Sequence, residues 1–98
     1  TEADLTTANL READLSRATL ENTTLSRANL TKANMAGAKC IKASFTFANL
    51  TGCDLSRANL TSASLHGADL TKANLTSATT RDTSFKSAKL IGTIGYKP

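Results

Sequence analysis

The sequence predicts a solenoid, a single domain in which the chain winds around one axis and buries one face of every turn. The first observation is length, since 98 residues form one small domain. The second is periodicity, because apolar residues recur every five positions from Leu5 to Leu90. The third is composition: the aliphatic residues are almost all Leu and Ala, with no Val and only four aromatic residues. This composition does not favour a conventional core of large side chains.

The five-residue repeat runs through eighteen units. We call positions 5, 10, 15 and so on to 90 the centre positions, and seventeen of these eighteen are apolar. The position two residues before each centre, here called the Ala position, holds Ala in fifteen units. The other three positions of a unit are nearly always polar or Gly. Each unit therefore offers one larger and one small apolar side chain to an interior.

A period of five excludes the two ordinary regular structures. Five residues advance an α-helix by about 500°, so successive centre residues would lie roughly 140° apart and form no stripe. In a flat strand, an odd period would place successive centre residues on opposite faces. A chain that turns a corner once per repeat instead directs every centre residue towards one axis. The sequence therefore predicts a coiled chain rather than a helix or an open sheet.

The repeat units have a recognisable consensus. The units Ala28-Asn29-Leu30-Thr31-Lys32 and Ala58-Asn59-Leu60-Thr61-Ser62 follow the motif A(D/N)LXX. Over residues 1–90 the chain resembles the pentapeptide-repeat protein family. The resemblance implies an all-β fold, a right-handed quadrilateral parallel β-helix in which four pentapeptides form one coil of twenty residues. Eighteen repeats at four per coil then give about 4.5 coils, and residues 91–98 are expected to form a short C-terminal tail that acts as a cap.

In such a coil, residues twenty apart lie above one another and form columns. Ala suits the position beside each centre because a larger side chain would overpack a narrow interior. One column of the core is expected to contain Leu5, Leu25, Phe45, Leu65 and Phe85.

The polar positions are expected to form the corners and the outer surface. Asp or Asn before the centre, as at Asn29, suits a corner because its side chain caps nearby backbone groups. Thr31, Thr51 and Thr71 share one column, where we expect a ladder of hydroxyl groups. Three glycines follow their centres by two residues, where a turn with positive φ favours Gly. These are Gly37, Gly52 and Gly67.

The charge is unevenly distributed along the chain and bears on possible partners. Residues 1–21 carry five acidic and two basic residues, a net charge of −3, whereas the remainder carries three acidic and ten basic residues, a net charge of +7. The resemblance implies one known activity, the modulation of DNA gyrase by acidic rods that imitate duplex DNA. A basic body argues against this alternative. Scattered Lys and Arg without an aromatic platform also argue against nucleic acid as a partner.

The residues able to carry chemistry are few. His66 is the single histidine and is expected on the surface, while Cys40 and Cys53 occupy inward positions of the repeat and are expected to be buried hydrophobes. We therefore predict no catalytic residue, no cofactor and no metal site. No signal peptide or long apolar run is visible, so the expected location is cytoplasmic, with no membrane contact. The chain begins without Met, which leaves a native start further upstream open.

Function is then expected on the outer surface or at the ends. Ile91, Ile94 and Tyr96 are candidates for a C-terminal cap or end interface, and the outward residues Ile41 and Phe47 are candidates for an exposed contact. The first coil has no cap in the sequence, so we expect it to dock end-on against another copy or another solenoid. The predicted function is a non-catalytic scaffold or protein-protein interaction module, and the alternative is a DNA-mimicking topoisomerase modulator.

Overall fold

The structure, a computed structural model, describes residues 2–97. Thr1 and Pro98, the outermost residues of the predicted segments 1–90 and 91–98, lie outside the described residues. Over the described range, fifteen parallel bridges join each residue before a centre to the residue twenty positions later, from Asp4 with Thr24 to Asn74 with Ile94. Bridges recur every five residues, so one coil has four sides, and each bridge involves a single residue rather than a longer strand. The all-β, right-handed quadrilateral β-helix is confirmed.

Backbone hydrogen bonds connect every side of a coil to the coils above and below. The Leu30 N–H donates to the Asn49 carbonyl at 2.7 Å, and the Asn49 N–H donates to the Ala28 carbonyl at 3.0 Å. Within a coil, the Ala33 N–H donates to the Leu30 carbonyl at 3.0 Å and closes a four-residue turn. Each repeat therefore contains one residue that pairs with the adjacent coils, the residue before the centre, and one tight turn at the corner.

The corners use positive φ at the second residue after the centre. Gly37, Gly52 and Gly67 all have φ of +68°, which confirms the prediction for these glycines. The same corner conformation also occurs at larger residues, with φ of 59° at Lys32 and 58° at Phe47. The left-handed region is unfavourable for such residues. The ladder bonds on both sides of each corner hold it there, so Gly is not required for the turn itself.

The core consists of the centre and Ala positions between Leu20 and Leu75, which are buried. Leu25, Phe45 and Leu65 of the predicted column are fully buried. Burial of a Leu side chain contributes about 1.5–3 kcal/mol, so the column is the main source of stability. Leu5 and Phe85, the outer members of the predicted column, are half-buried. Among the described residues, each has a neighbouring coil on one side only.

Side chains of Asn and Asp cap the corners as predicted. The Asn29 Oδ1 atom accepts hydrogen bonds from the Thr31 N–H at 3.1 Å and from the Thr31 hydroxyl at 2.7 Å. The hydroxyl of Thr71 donates to Asp69 in the same way and is the main cause that lowers the pKa of that carboxyl group. Each cap satisfies a backbone N–H that the ladder leaves free.

A hydroxyl ladder is present, but the prediction of its position was wrong. Among the described residues, Thr31, Thr51 and Thr71 do not bond one another, and the hydroxyls of Thr31 and Thr71 donate instead to Asn29 and Asp69 of their own repeats. Hydroxyls link successive coils on a different side, where Ser or Thr precedes the centre and no such oxygen competes. The hydroxyl oxygens of Ser26 and Ser44 are 3.3 Å apart, those of Ser44 and Thr46 are 3.0 Å apart, and those of Thr46 and Ser64 are 3.4 Å apart.

The ladder extends beyond residue 90. Ile94 pairs with Asn74, so the first part of the predicted tail adds another side to the last coil. At Gly95, with φ of +79°, the chain approaches the backbone of Thr76, and an added Cβ atom would lie 2.8 Å from that nitrogen. The chain then places Tyr96 against the end of the core. The molecule measures 28 × 23 × 23 Å.

Candidate interaction surface

The interior leaves no room for a ligand. Residues 2–97 enclose no pocket, and within this range no three His, Cys, Asp or Glu side chains are grouped as metal ligands would be. Cys40 and Cys53 are fully buried, and burial raises the pKa of both thiols to about 12. At neutral pH both are protonated, which suits packing and not nucleophilic chemistry. Any recognition by the described part of the chain therefore takes place on its outside.

The structure separates the predicted contact residues. Phe47 is 51% exposed, whereas Ile41 lies on an adjacent side and is half-buried. Ile91 and Ile94 are 74% and 58% exposed on the last coil. Tyr96 is half-buried and packs edge-on against Phe85, with ring centroids 5.0 Å apart. Of the three residues proposed for the C-terminal cap, Tyr96 is thus the one that covers core atoms.

Phe47 belongs to a compact group that we call the Phe47 cluster, formed by Arg27, Phe47, His66 and Gly67. The Arg27 guanidinium carbon lies 5.2 Å from the centroid of the Phe47 ring, within cation–π range. The His66 ring meets the Phe47 ring edge-on at 5.4 Å and 75°. His66, expected as an isolated surface residue, is half-buried by this contact. An exposed aromatic ring is thus in contact with a cation, a second ring and a glycine backbone.

Gly67 provides the surface on which the Phe47 ring lies. A Cβ atom at Gly67 would be 2.4 Å from the Phe47 Cε1 atom, so a larger residue there would force the ring to move. Three other glycines have a long side chain at ordinary contact distance, since the stems of Arg17, Lys32 and Lys72 lie 3.5 Å, 3.4 Å and 3.4 Å from the corresponding positions at Gly37, Gly52 and Gly92. The sequence predicts the positive φ of Gly67 but not its close contact with Phe47. The signal for it is a Gly twenty residues after a long side chain.

A pair of glycine substitutions tests this arrangement. Gly67→Ala and Gly52→Ala each introduce a Cβ atom at a residue whose φ is +68°. This conformation costs a non-glycine residue about 1 kcal/mol, and the cost is the same in both variants. Gly67→Ala must in addition displace the Phe47 ring, whereas Gly52→Ala meets only a flexible Lys32 stem. We expect a larger loss of melting temperature for Gly67→Ala and shifted NMR signals of the Phe47 ring. Equal losses and unchanged ring signals would show that Gly67 does not position Phe47.

The fold and surface of residues 2–97 define a class of protein: a right-handed β-helix with a filled interior, which presents its polar side chains outwards. A family model for pentapeptide repeats matches residues 8–39 and 38–76 with eight copies. The chain belongs to the pentapeptide repeat family. A search of curated proteins finds no significant match. In residues 2–97 there is no helix with the length and apolar character needed to cross a membrane.

Solved structures of the same fold resemble the chain along most of its length. AT2G44920, a pentapeptide repeat protein from the Arabidopsis thaliana thylakoid lumen, is 31% identical with a TM-score of 0.91, over 95% of this chain and 65% of that one. The protein alr5209 from Nostoc Pcc 7120 is 28% identical with a TM-score of 0.53, over 87% of this chain and 62% of that one. QnrB1, a plasmid-mediated fluoroquinolone resistance protein, is 23% identical with a TM-score of 0.55, over 94% and 60%, and shows the fold alone. The chain therefore spans less than two thirds of each of these three structures.

Proposed function

We propose that this protein is a non-catalytic interaction module that uses the Phe47 cluster to bind a protein partner on the side of a rigid solenoid. The observation that carries the proposal is that Phe47 is more than half exposed and yet is in contact with Arg27, His66 and Gly67. A large exposed aromatic ring normally costs solubility. Its contacts with three neighbours support a role in binding, because they preorganise the ring for association.

A fixed aromatic ring is an effective binding group. Aromatic residues dominate the energetics of protein interfaces because they bury much apolar area with few rotatable bonds. A ring that is already immobilised loses little further side-chain entropy on association. The coil beneath it is held from both sides, since Asn49 is bonded to the preceding coil and the flanking Ala48 and Leu50 are bonded to the following coil. Phe47 therefore supplies the anchor of the proposed interface.

The surrounding charge indicates the chemistry of the partner. Residues 22–98 carry ten Lys and Arg against three Asp. Arg27 lies at the ring, and Lys86 follows His66 by twenty residues, in the same column. An acidic protein surface with an apolar depression for Phe47 would match this face in charge and shape. Such steering is screened by salt, so binding is expected to weaken as ionic strength rises.

The alternative of a DNA-mimicking topoisomerase modulator has less support. Mimicry of duplex DNA needs a dense array of negative charge, and this body is basic beyond the first coil. The likeness to QnrB1 concerns the fold and transfers no activity. A DNA gyrase supercoiling assay separates the two proposals, with no inhibition expected for an interaction module. Inhibition at micromolar protein would favour the alternative.

Affinity measurements on one aromatic variant test the proposal. A partner captured by the wild-type protein is expected to bind Phe47→Ala with about thirty-fold higher Kd, the effect of losing a central aromatic anchor. Ile91→Ala is the matched control, because Ile91 is more exposed but lies on the last coil, apart from the cluster. Both variants should keep the wild-type melting temperature. Full affinity of Phe47→Ala for every captured partner would refute the proposal.

A further inference from the structure

Phe47 lies at a corner between two sides of the solenoid that differ in chemistry. The Asn49 side, as we call it, has a ladder formed by Asn9, Asn29, Asn49, Asp69 and Lys89. The hydroxyl side has a ladder formed by Asp4, Thr24, Ser44, Ser64 and Ser84. A partner that binds Phe47 covers at least one of these sides as well, because a stable interface is much larger than one aromatic ring.

The two sides differ in net charge. Counted with both of its corners, the Asn49 side carries six basic and two acidic residues, a net charge of +4. Its basic residues are Arg11, Arg27, Lys32, Lys72, Lys86 and Lys89. The hydroxyl side, counted in the same way, carries four basic and four acidic residues, a net charge of zero. An acidic partner is therefore attracted to the Asn49 side.

Two lysines of the Asn49 side are free to bind a partner. In residues 2–97, the one ion pair within 4.0 Å joins Arg11 to Glu12. Lys32 and Lys72 thus have no carboxylate at this distance in the described part of the chain, and both are exposed. Their charges are available to carboxylates from outside.

Lys32 and Phe47 lie at the two corners that bound the Asn49 side. The Lys32 Cγ atom is 3.4 Å from the Cβ position of Gly52, and the Phe47 ring lies over Gly67, in each case twenty residues later. Both side chains therefore extend towards the following coil. Lys72 repeats the arrangement of Lys32 two coils further along. An aromatic ring and cations thus flank the same side.

The residues between these corners add hydrogen-bond donors. The Oδ1 atoms of Asn29 and Asn49 accept bonds from the N–H groups of Thr31 and Thr51 at 3.1 Å and 3.0 Å. This leaves the N–H groups of the two amides for other partners. On the hydroxyl side, the hydroxyl groups bond one another instead. The Asn49 side therefore suits a partner rich in acceptors, such as carboxylates.

We infer that the partner covers the Asn49 side with an acidic polypeptide segment, which places an apolar side chain against Phe47 and carboxylates towards Lys32 and Lys72. The inference rests on the proposed function and adds the side of the solenoid and the chemistry of the segment. Exposed ion pairs contribute little affinity individually. The Phe47 contact therefore provides the anchor, and the lysines determine which side the partner covers.

Amide NMR titration with the capped peptide Glu-Glu-Glu-Leu-Glu-Glu-Glu tests the inference. The largest shifts are expected at Phe47, Asn49 and Lys32, with smaller shifts at Ser44 and Ser64. The double variant Lys32→Glu/Lys72→Glu should raise the Kd of the peptide about tenfold, because it replaces two attractions by two repulsions.

Lys42→Glu/Arg57→Glu is the matched control. It changes the net charge equally, at corner residues that also have positive φ but lie off the Asn49 side. Glu12 already adopts this conformation, with φ of 60°, so both double variants should keep the wild-type melting temperature. The control should raise the Kd less than about threefold, through long-range charge alone.

The remaining outcomes separate the inference from the proposed function. Equal weakening by the two double variants, shifts centred on Ser44 and Ser64, or no binding of the peptide would overturn the inference alone. Unchanged peptide affinity of Phe47→Ala would contradict the proposed function, whatever the lysine variants show. An oligothymidylate of equal charge is the second probe. Tighter binding of this probe than of the peptide, lost in Lys32→Glu/Lys72→Glu, would overturn the assignment to an acidic polypeptide in favour of nucleic acid.

Discussion

Leu50→Asp is expected to prevent folding. Leu50 is fully buried at a centre position, in a column between Leu30 and Leu70, which are also fully buried. The change removes about 1.5–3 kcal/mol of apolar burial and adds the cost of a buried carboxyl group, which is several kcal/mol more. A domain of this size is stable by about 5–15 kcal/mol in total. Each coil of a solenoid is stabilised by its neighbours, so loss of a middle coil also destabilises both sides.

Far-UV circular dichroism and thermal melting measure this effect. Ser62→Asp is the matched control, because Ser62 is exposed at a corner and Asp82, twenty residues later, already occupies the same column with positive φ. We expect the control to melt as the wild type does. A folded Leu50→Asp protein with the wild-type melting temperature would show that Leu50 does not face a packed interior.

Phe45→Ala is expected to reduce the free energy of unfolding by about 3–5 kcal/mol, the range for Phe to Ala in a packed core. Phe45 is a large, fully buried side chain at a centre position, and Leu25 and Leu65 lie in the same column. The coils are joined by backbone hydrogen bonds on every side, so they cannot collapse into the space that the ring leaves.

Urea unfolding at 25 °C checks this prediction, and Phe45→Leu is its control. Leu occupies the same position in the neighbouring coils, so the loss for this variant should be about 1–2 kcal/mol. A loss below about 1 kcal/mol for Phe45→Ala would indicate an interior that adapts freely and is not close-packed.

The repeat alone predicts a coiled chain, whereas its four sides and its right-handed sense were implied by the resemblance to the pentapeptide-repeat family. A five-residue period is incompatible with a straight helix or strand, and the pairing of Leu with a small residue leaves a narrow interior as the consistent solution. The burial of Cys40 and Cys53 followed from their positions in the repeat and is observed. The corner caps followed from the chemistry of Asn and Asp, as at Asn29.

Contacts between coils were harder to predict because they depend on which residues stack and on competing partners. The Thr31 hydroxyl bonds Asn29 in its own coil and not Thr51. A bond to a residue two positions away costs less conformational entropy, because fewer torsion angles must be fixed to form it. The support of Phe47 by Gly67 requires the twenty-residue offset together with the direction of the ring. These features depend on the geometry of several coils, whereas the fold depends on one repeated unit.

Residues twenty apart lie in adjacent coils of one parallel ladder, and the rest of the fold depends on this pairing. NMR couplings through hydrogen bonds test this most directly, because they join the nitrogen of a donor to the carbonyl carbon of its acceptor. We expect couplings from the Leu30 N–H to the Asn49 carbonyl and from the Asn49 N–H to the Ala28 carbonyl. Couplings from each N–H to the carbonyl four residues earlier would contradict it, since they would show a helix.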